Sequence, residues 1–236
     1  MNKPLKINQI DARRLAHAGM WQTKPSDRFI LRWIKVHLSA RITPHLFAWS
    51  GIEPWMITLL SSGLGVLGGT VFALGWGWLA GCIAACAQVF DGVDGQLARI
   101  SGKQSKGGAF WDSVLDRYAD GAMMIGLVVY LVRLPSSWPN WLILVLGTLA
   151  LIGSNLVSYS SARAENLSID LGKPTLASKG TRTSVMILCA WGSLIWTGLP
   201  ILALLYLAVH PNAVIARRLL LTSYITQPEA DRGEKV

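Results

Sequence analysis

The chemistry available to this sequence sits in four aspartates. Asp91 and Asp94 stand three residues apart, and Asp112 and Asp116 stand four apart, each pair beside a long apolar run. Residues three or four apart share one face of a helix, so each pair presents two carboxylates to one side. The polar stretch between the pairs is short. It predicts two antiparallel neighbouring helices whose four carboxylates meet at one depth and face a common mouth. A carboxylate at the centre of a membrane helix costs about 2.5–3.5 kcal/mol, and four together also repel one another. A divalent cation offsets both effects. An all-oxygen donor set suits Mg²⁺ or Mn²⁺ and admits Ca²⁺, whereas zinc usually takes nitrogen or sulfur as well. Two ions bridged by carboxylates, about 3.5–4 Å apart, are a standard device for in-line displacement at phosphorus.

Small residues surround the aspartates. Gly92, Gly95 and Ala98 accompany the first pair, and Gly107 and Gly108 precede the second. Glycine lets a ligand or a neighbouring backbone approach closely, so these positions serve either ligand contact or helix packing. Arg99 lies one turn beyond Gly95, in reach of phosphate oxygens, and is equally suited to anchoring a helix end. Asp120 continues the stripe of Gly108, Asp112 and Asp116 and also reads as a solvated helix residue.

The elements that hold these residues read as membrane helices. The 236-residue chain is 52% hydrophobic and 15% charged, against about 25% charged in ordinary soluble domains. Its apolar residues gather in runs long enough for a bilayer. Six are predicted, over 56–75, 78–100, 110–134, 141–164, 183–196 and 199–221, the fifth short for a span of about 20 residues. Ahead of them, Pro25-Ser26-Asp27 marks a helix start. Phe29, Ile30, Trp33, Ile34, Leu38 and Ile42 then recur at helical spacing opposite Arg28, Arg32, Lys35 and Ser39. That is the pattern of an amphipathic helix lying in the membrane interface. The expected class is all-α integral membrane protein. It divides into an amino-terminal region over 1–55, a six-helix catalytic domain over 56–221 and a tail over 222–236.

The formal net charge of +9 belongs to topology and not to nucleic acid, because the basic residues lie between apolar runs. Lys24, Arg28, Lys35 and Arg41 precede the first run. Arg99, Lys103 and Lys106 join the second to the third, Arg163, Lys173, Lys179 and Arg182 join the fourth to the fifth, and Arg217 and Arg218 lie in the last. Apart from Arg133, the opposite loops are nearly uncharged. Lysine and arginine mark the cytoplasmic side, so both termini and the aspartate mouth are expected in the cytoplasm of a multi-pass inner (plasma) membrane protein. No secretory leader is expected. Cys82, Cys86 and Cys189 read as small buried hydrophobes, and His17, His37, His45 and His210 are scattered.

The run Asp91-x-x-Asp94-Gly95-x-x-Ala98-Arg99, then eight residues, then Gly108-x-x-x-Asp112-x-x-x-Asp116 resembles the complete signature of the CDP-alcohol phosphotransferases. The resemblance implies a reaction in which an acceptor hydroxyl attacks a CDP-linked alcohol, typically CDP-diacylglycerol, and CMP leaves. It implies that Asp91, Asp94 and Asp112 bind two Mg²⁺ or Mn²⁺ ions and that Asp116 is both a metal neighbour and the general base. The resemblance also implies that Gly95, Ala98, Arg99 and Gly108 line the nucleotide site and that the protein is a homodimer among membrane lipids. The stretches 105–120 and 158–165 are similar to members that use inositol phosphate, with glycerol phosphate the alternative acceptor. Arg163, Lys179 and Arg182 are candidates to bind an acceptor phosphate, or are topology charges. Two positions depart from the pattern. Ser161 stands where inositol-phosphate users often carry a basic residue, and Trp55 follows Pro54 where many members have asparagine.

Two other classes use acidic clusters in membranes. Prenyltransferases also hold a pyrophosphate through aspartates and Mg²⁺, but with different spacing on non-adjacent helices. A cation transporter needs its carboxylates near the midplane on a continuous polar path, whereas these crowd one interface.

Overall fold

The computed structural model describes residues 33–49, 51–135, 138–172 and 175–225. Helix start Pro25-Ser26-Asp27, together with Lys24, Arg28, Phe29, Ile30 and Arg32, lies outside them, as do Ser137, Lys173 and the tail beyond 225. Among the described residues every regular element is helical. A π-helical turn, Ile34–Ser39, runs into α1 (Ala40–Phe47). Six further helices follow: α2 (Pro54–Ala73), α3 (Gly77–Ile100), α4 (Lys106–Arg133), α5 (Asn140–Asn166), α6 (Lys179–Gly192) and α7 (Ile201–Ile225). They fall on the six predicted runs. Among the described residues three segments are long and apolar enough to cross a membrane, namely Pro54–Ala73, Asn140–Asn166 and Ile201–Ser223. Helices α3 and α4 carry the aspartates and their neighbouring cations, and α6 has only 14 residues.

The two aspartate helices are antiparallel, but their main packing partner is not each other. Both lie along α2, which corrects the expectation of direct neighbours. The reason is a glycine stripe. A Cβ on Gly65 would meet Ala119 of α4, one on Gly69 would strike the backbone of Ala122, and one on Gly126 would strike the backbone of Gly69. Close backbone approach through small residues is how membrane helices associate when lipid removes the hydrophobic drive. With α2 wedged against both, a gap opens between α3 and α4 at their aspartate ends.

The remaining helices complete a core of Phe72, Ala80, Met123, Leu127, Ile143, Met186, Leu204 and Leu207. Helix α6 packs on α3, and α7 packs on α5. Behind the site, α1 rests on α3. Ile42, Leu46 and Phe47 meet the buried Val93 and Leu97, Ser39 Oγ donates to Val89 O at 2.7 Å, and Thr43 Oγ1 donates to Gln96 Oε1 at 2.7 Å. In the described part of this amphipathic segment, Trp33, Val36 and Leu38 stay exposed. Cys82 and Cys189 are half-buried and Cys86 is exposed, so the third does not fill a core position as expected. It lies on a face of α3 turned away from its packing partners.

Candidate active site

Each aspartate is placed by its helix register and by how its helix ends. Helix α3 stops at Gly102, whose φ of +66° is the left-handed conformation glycine adopts without strain. The Lys103 N–H turns back to Ala98 O at 3.0 Å, a helix ending that satisfies a carbonyl otherwise orphaned. This swings Lys103 to Glu53 at the head of α2, Nζ to Oε1 2.5 Å. Helix α4 then begins at Ser105, whose hydroxyl accepts from the Gly108 N–H at 2.9 Å. The short connection is thus tied at both ends, which fixes the relative height of the two aspartate pairs.

Asp91, Asp112 and Asp116 each turn one carboxylate oxygen inward, and the three oxygens lie within 4.8 Å of one another. All three residues are half-buried. The donors are oxygen only, a set whose chemistry fits Mg²⁺ or Mn²⁺. Asp94 differs. It is buried at 7% exposure, its Oδ2 accepts from Thr58 Oγ1 at 2.8 Å, and its Oδ1 accepts from the Gly95 N–H. Asp94 stands in the wall between the carboxylate cluster and an adjoining cleft.

That cleft has a volume of about 520 Å³, within the range of small-molecule sites. Gly95, Ala98, Arg99 and Gly108 all line it, together with Asp94 and Asp112. A Cβ on Gly95 would lie 3.5 Å from the Arg99 guanidinium, so the arginine folds back along its own helix over the glycine. Trp55 and Trp111 stand at the rim, 52% and 58% exposed. The indole at 55 therefore borders the cleft where the family pattern often has an amide.

The three basic candidates part company. Lys179 opens α6, and its Nζ lies 2.9 Å from Asp91 Oδ1 and 2.6 Å from Asp116 Oδ1. Arg182 is inside α6 and 5% exposed. It donates to Ala177 O at 2.6 Å and to Ser158 Oγ at 3.4 Å, and lies 3.7 Å from Asp120 Oδ2. Arg163 is exposed in the last turn of α5. Asp120 is thus half of an ion pair and not merely a solvated residue. Arg218 of α7, read from the sequence only as a topology charge, donates to Val157 O, Ser160 Oγ and Ser161 Oγ. A guanidinium from the last helix therefore stands beside Ser161, the position that lacks a basic side chain. Nothing in local spacing signals this, because the two residues are 57 apart. Thr58 was missed for the same reason: its link to Asp94 exists only after α2 and α3 pack.

An all-helical described chain with an oxygen-only carboxylate cluster beside a polar cleft fits a membrane enzyme that handles a phosphate-linked substrate. Residues 52–209 match the CDP-alcohol phosphatidyltransferase family, and the chain belongs to that family. It is 33% identical over 156 residues, 66% of this chain and 78% of the other, to an archaetidylinositol phosphate synthase of Pyrococcus horikoshii. It is 34% identical over 169 residues, 72% of this chain, to a bifunctional IPC transferase and DIPP synthase of Rubrobacter xylanophilus, of which it spans 37%. Among solved structures it resembles the Mycobacterium tuberculosis phosphatidylinositol phosphate synthase with CDP-DAG bound, at 26% identity and a TM-score of 0.67 over 82% of this chain and 96% of that one. The same enzyme in complex with manganese and citrate matches with a TM-score of 0.68 over 82% and 91%. The inositol-linked relatives are the members that stretches 105–120 and 158–165 resemble.

Proposed function

We propose that this protein transfers a substituted phosphate from CDP-diacylglycerol, or a similar CDP-linked lipid, to the hydroxyl of a phosphorylated polyol, inositol phosphate first among the candidates, and releases CMP. The observation that carries this is the convergence of Asp91, Asp112 and Asp116, of which Asp112 also lines the cleft that contains Gly95, Ala98, Arg99 and Gly108. Asp91, Asp94 and Asp112 would hold a pair of Mg²⁺ or Mn²⁺ ions, with Asp116 beside them. Bound divalent ions supply charge neutralisation of the donor pyrophosphate. Arg99 and the small wall of Gly95, Ala98 and Gly108 orient the CMP half. The acceptor oxygen then bonds to the phosphorus that carries the lipid alcohol. The bond from that phosphorus to the bridging oxygen breaks, and CMP leaves with the electron pair. Asp116 accepts the acceptor's proton, a role that suits a carboxylate at the margin of the cluster.

A phosphorylated acceptor is favoured by the cations on the far side of Asp116. Arg182 and Arg218 both reach the carboxyl-terminal half of α5, where Arg182 meets the hydroxyl of Ser158 and Arg218 those of Ser160 and Ser161. Two guanidiniums held by separate but neighbouring serines of one helix make a region suited to a phosphate. By likeness to the family, the catalytic domain covers 56–221, the six helices α2 to α7 span the inner membrane, both termini and the carboxylates face the cytoplasm, the amino-terminal helix lies at the interface, and the protein is a homodimer. The test is CMP release from CDP-diacylglycerol and Mg²⁺ by the purified protein, with inositol phosphate, glycerol phosphate, serine and free inositol as acceptors. Turnover with inositol phosphate well above the others is expected. Turnover with glycerol phosphate alone makes the protein the other kind of phosphate user, and turnover with free inositol alone ends the proposal of a phosphorylated acceptor.

A further inference from the structure

We infer that Lys179 is an exchangeable counter-ion of the catalytic carboxylates: its ammonium and a divalent cation compete for the same oxygens, so metal binding releases a cation into the site. The inference rests on the metal-binding role proposed for Asp91 and Asp116. Lys179 Nζ is 2.9 Å from Asp91 Oδ1 and 2.6 Å from Asp116 Oδ1, and both residues belong to the group whose oxygens lie within 4.8 Å. The lysine is therefore not a neighbour of the cluster but its bridge, joining α6 to α3 and α4 through a single nitrogen.

A dication that takes the same lone pairs of Asp91 Oδ1 and Asp116 Oδ1 displaces the ammonium from them, and the two charges repel at such separations. The lysine is built to be the one that leaves. It is the first residue of α6, its stem has four flexible carbons, and its side chain retains 26% exposure. Arg182, one turn further along the same helix, is locked by Ala177, Ser158 and Asp120 and cannot follow. Once displaced, the ammonium remains tethered to the first turn of α6, on the side of the cluster where Arg182 stands. An anion-binding group thus becomes available when the metal site fills. Lys179 would be a positioning residue that makes the capture of a phosphate-bearing substrate depend on metal occupancy.

The test measures the binding of Mn²⁺ alone by electron paramagnetic resonance on detergent-solubilised full-length protein. Lys179→Met keeps the stem and removes the competitor, so Mn²⁺ affinity should rise about tenfold or more, because hydrogen bonds to charged groups are among the stronger ones. Lys179→Arg keeps a competing cation and should stay near wild type. A second measurement needs no variant. Acetylation of the Lys179 amine, followed by mass spectrometry, should accelerate in Mg²⁺ relative to the Glu53-paired Lys103. Unchanged or weaker Mn²⁺ binding in Lys179→Met, or equal acetylation with and without Mg²⁺, overturns the exchange. Those outcomes leave the metal site itself standing, whereas failure of the wild-type protein to bind Mn²⁺ removes both.

Discussion

Single residues in this site differ in kind. Asp112 lines the cleft and belongs to the oxygen cluster, so it stands where the proposed metal and nucleotide sites meet. Asp112→Asn keeps the shape and removes the charge, and turnover with every acceptor should fall on the order of a hundredfold or more, as when a site loses charge stabilisation of its transition state. Wild-type activity should likewise vanish with chelator and return with Mg²⁺ or Mn²⁺. Rates unaffected by either manipulation would remove the cluster from catalysis. Arg218 makes a narrower claim. If its guanidinium meets an acceptor phosphate, Arg218→Ala loses a charged contact of about 1.5–3 kcal/mol, or roughly tenfold to a hundredfold in apparent acceptor KM, with donor KM unchanged. Initial rates against each substrate separate these, and an equal rise in both KM values would reduce Arg218 to a brace for α5. The aspartate pairs were legible from helical spacing, and Gly95, Arg99 and Gly108 from the resemblance to the family signature. Thr58, Arg218 and the bridging place of Lys179 were not, because each is defined by a partner 36 or more residues away.

Elements were read from apolar runs, and the errors follow from that. The fifth run was predicted to start at Thr183, whereas α6 starts at Lys179. Charge ended the run in sequence, but Lys179 and Arg182 are drawn into the helix by Asp91, Asp116 and Asp120. The expectation that α3 and α4 would pack on each other failed for a related reason. Sequence proximity suggested neighbours, whereas the decisive feature was the glycine face of α2, visible as a composition but without an assigned partner. A sharp consequence attaches to that face. Gly126 has no room for a Cβ, since one would strike the Gly69 backbone, whereas one on Gly63 meets nothing within 4 Å. Gly126→Val should destabilise the fold by about 1–3 kcal/mol, the usual cost of overpacking, and should widen the gap at the aspartates. Gly63→Val should be close to neutral. Thermal unfolding of the two variants in the same detergent decides this, and equal midpoints would mean that the α2–α4 crossing is looser than its geometry.

At the scale of the whole molecule, the carboxylates lie at one end with Trp55 and Trp111, and a larger group of tryptophans lies at the other, an asymmetry that suits one orientation in a bilayer. The carboxylates, Arg99, Lys103 and Lys179 share one end. At the other end lie Trp76, Trp78, Trp138, Trp141, Trp191 and Trp196, each at least 40% exposed, where indoles suit the headgroup level. Among the described residues three helices qualify as spans by length and composition, because the aspartate ends of α3 and α4 are polar and α6 is short. With all six helices crossing, the connection at 101–105 must face the positively flanked, cytoplasmic side and the turn at 193–200 the opposite side. In a protein whose cysteines 82, 86 and 189 are replaced by alanine, Gln104→Cys and Thr197→Cys test this directly, since both positions are exposed. An impermeant maleimide applied to intact cells should label position 197 and leave position 104 unlabelled until the membrane is opened. Labelling of both from the same side would require an odd number of crossings between α3 and the end of α6 to be lost, and the carboxylates and the tryptophan end could not then occupy opposite faces.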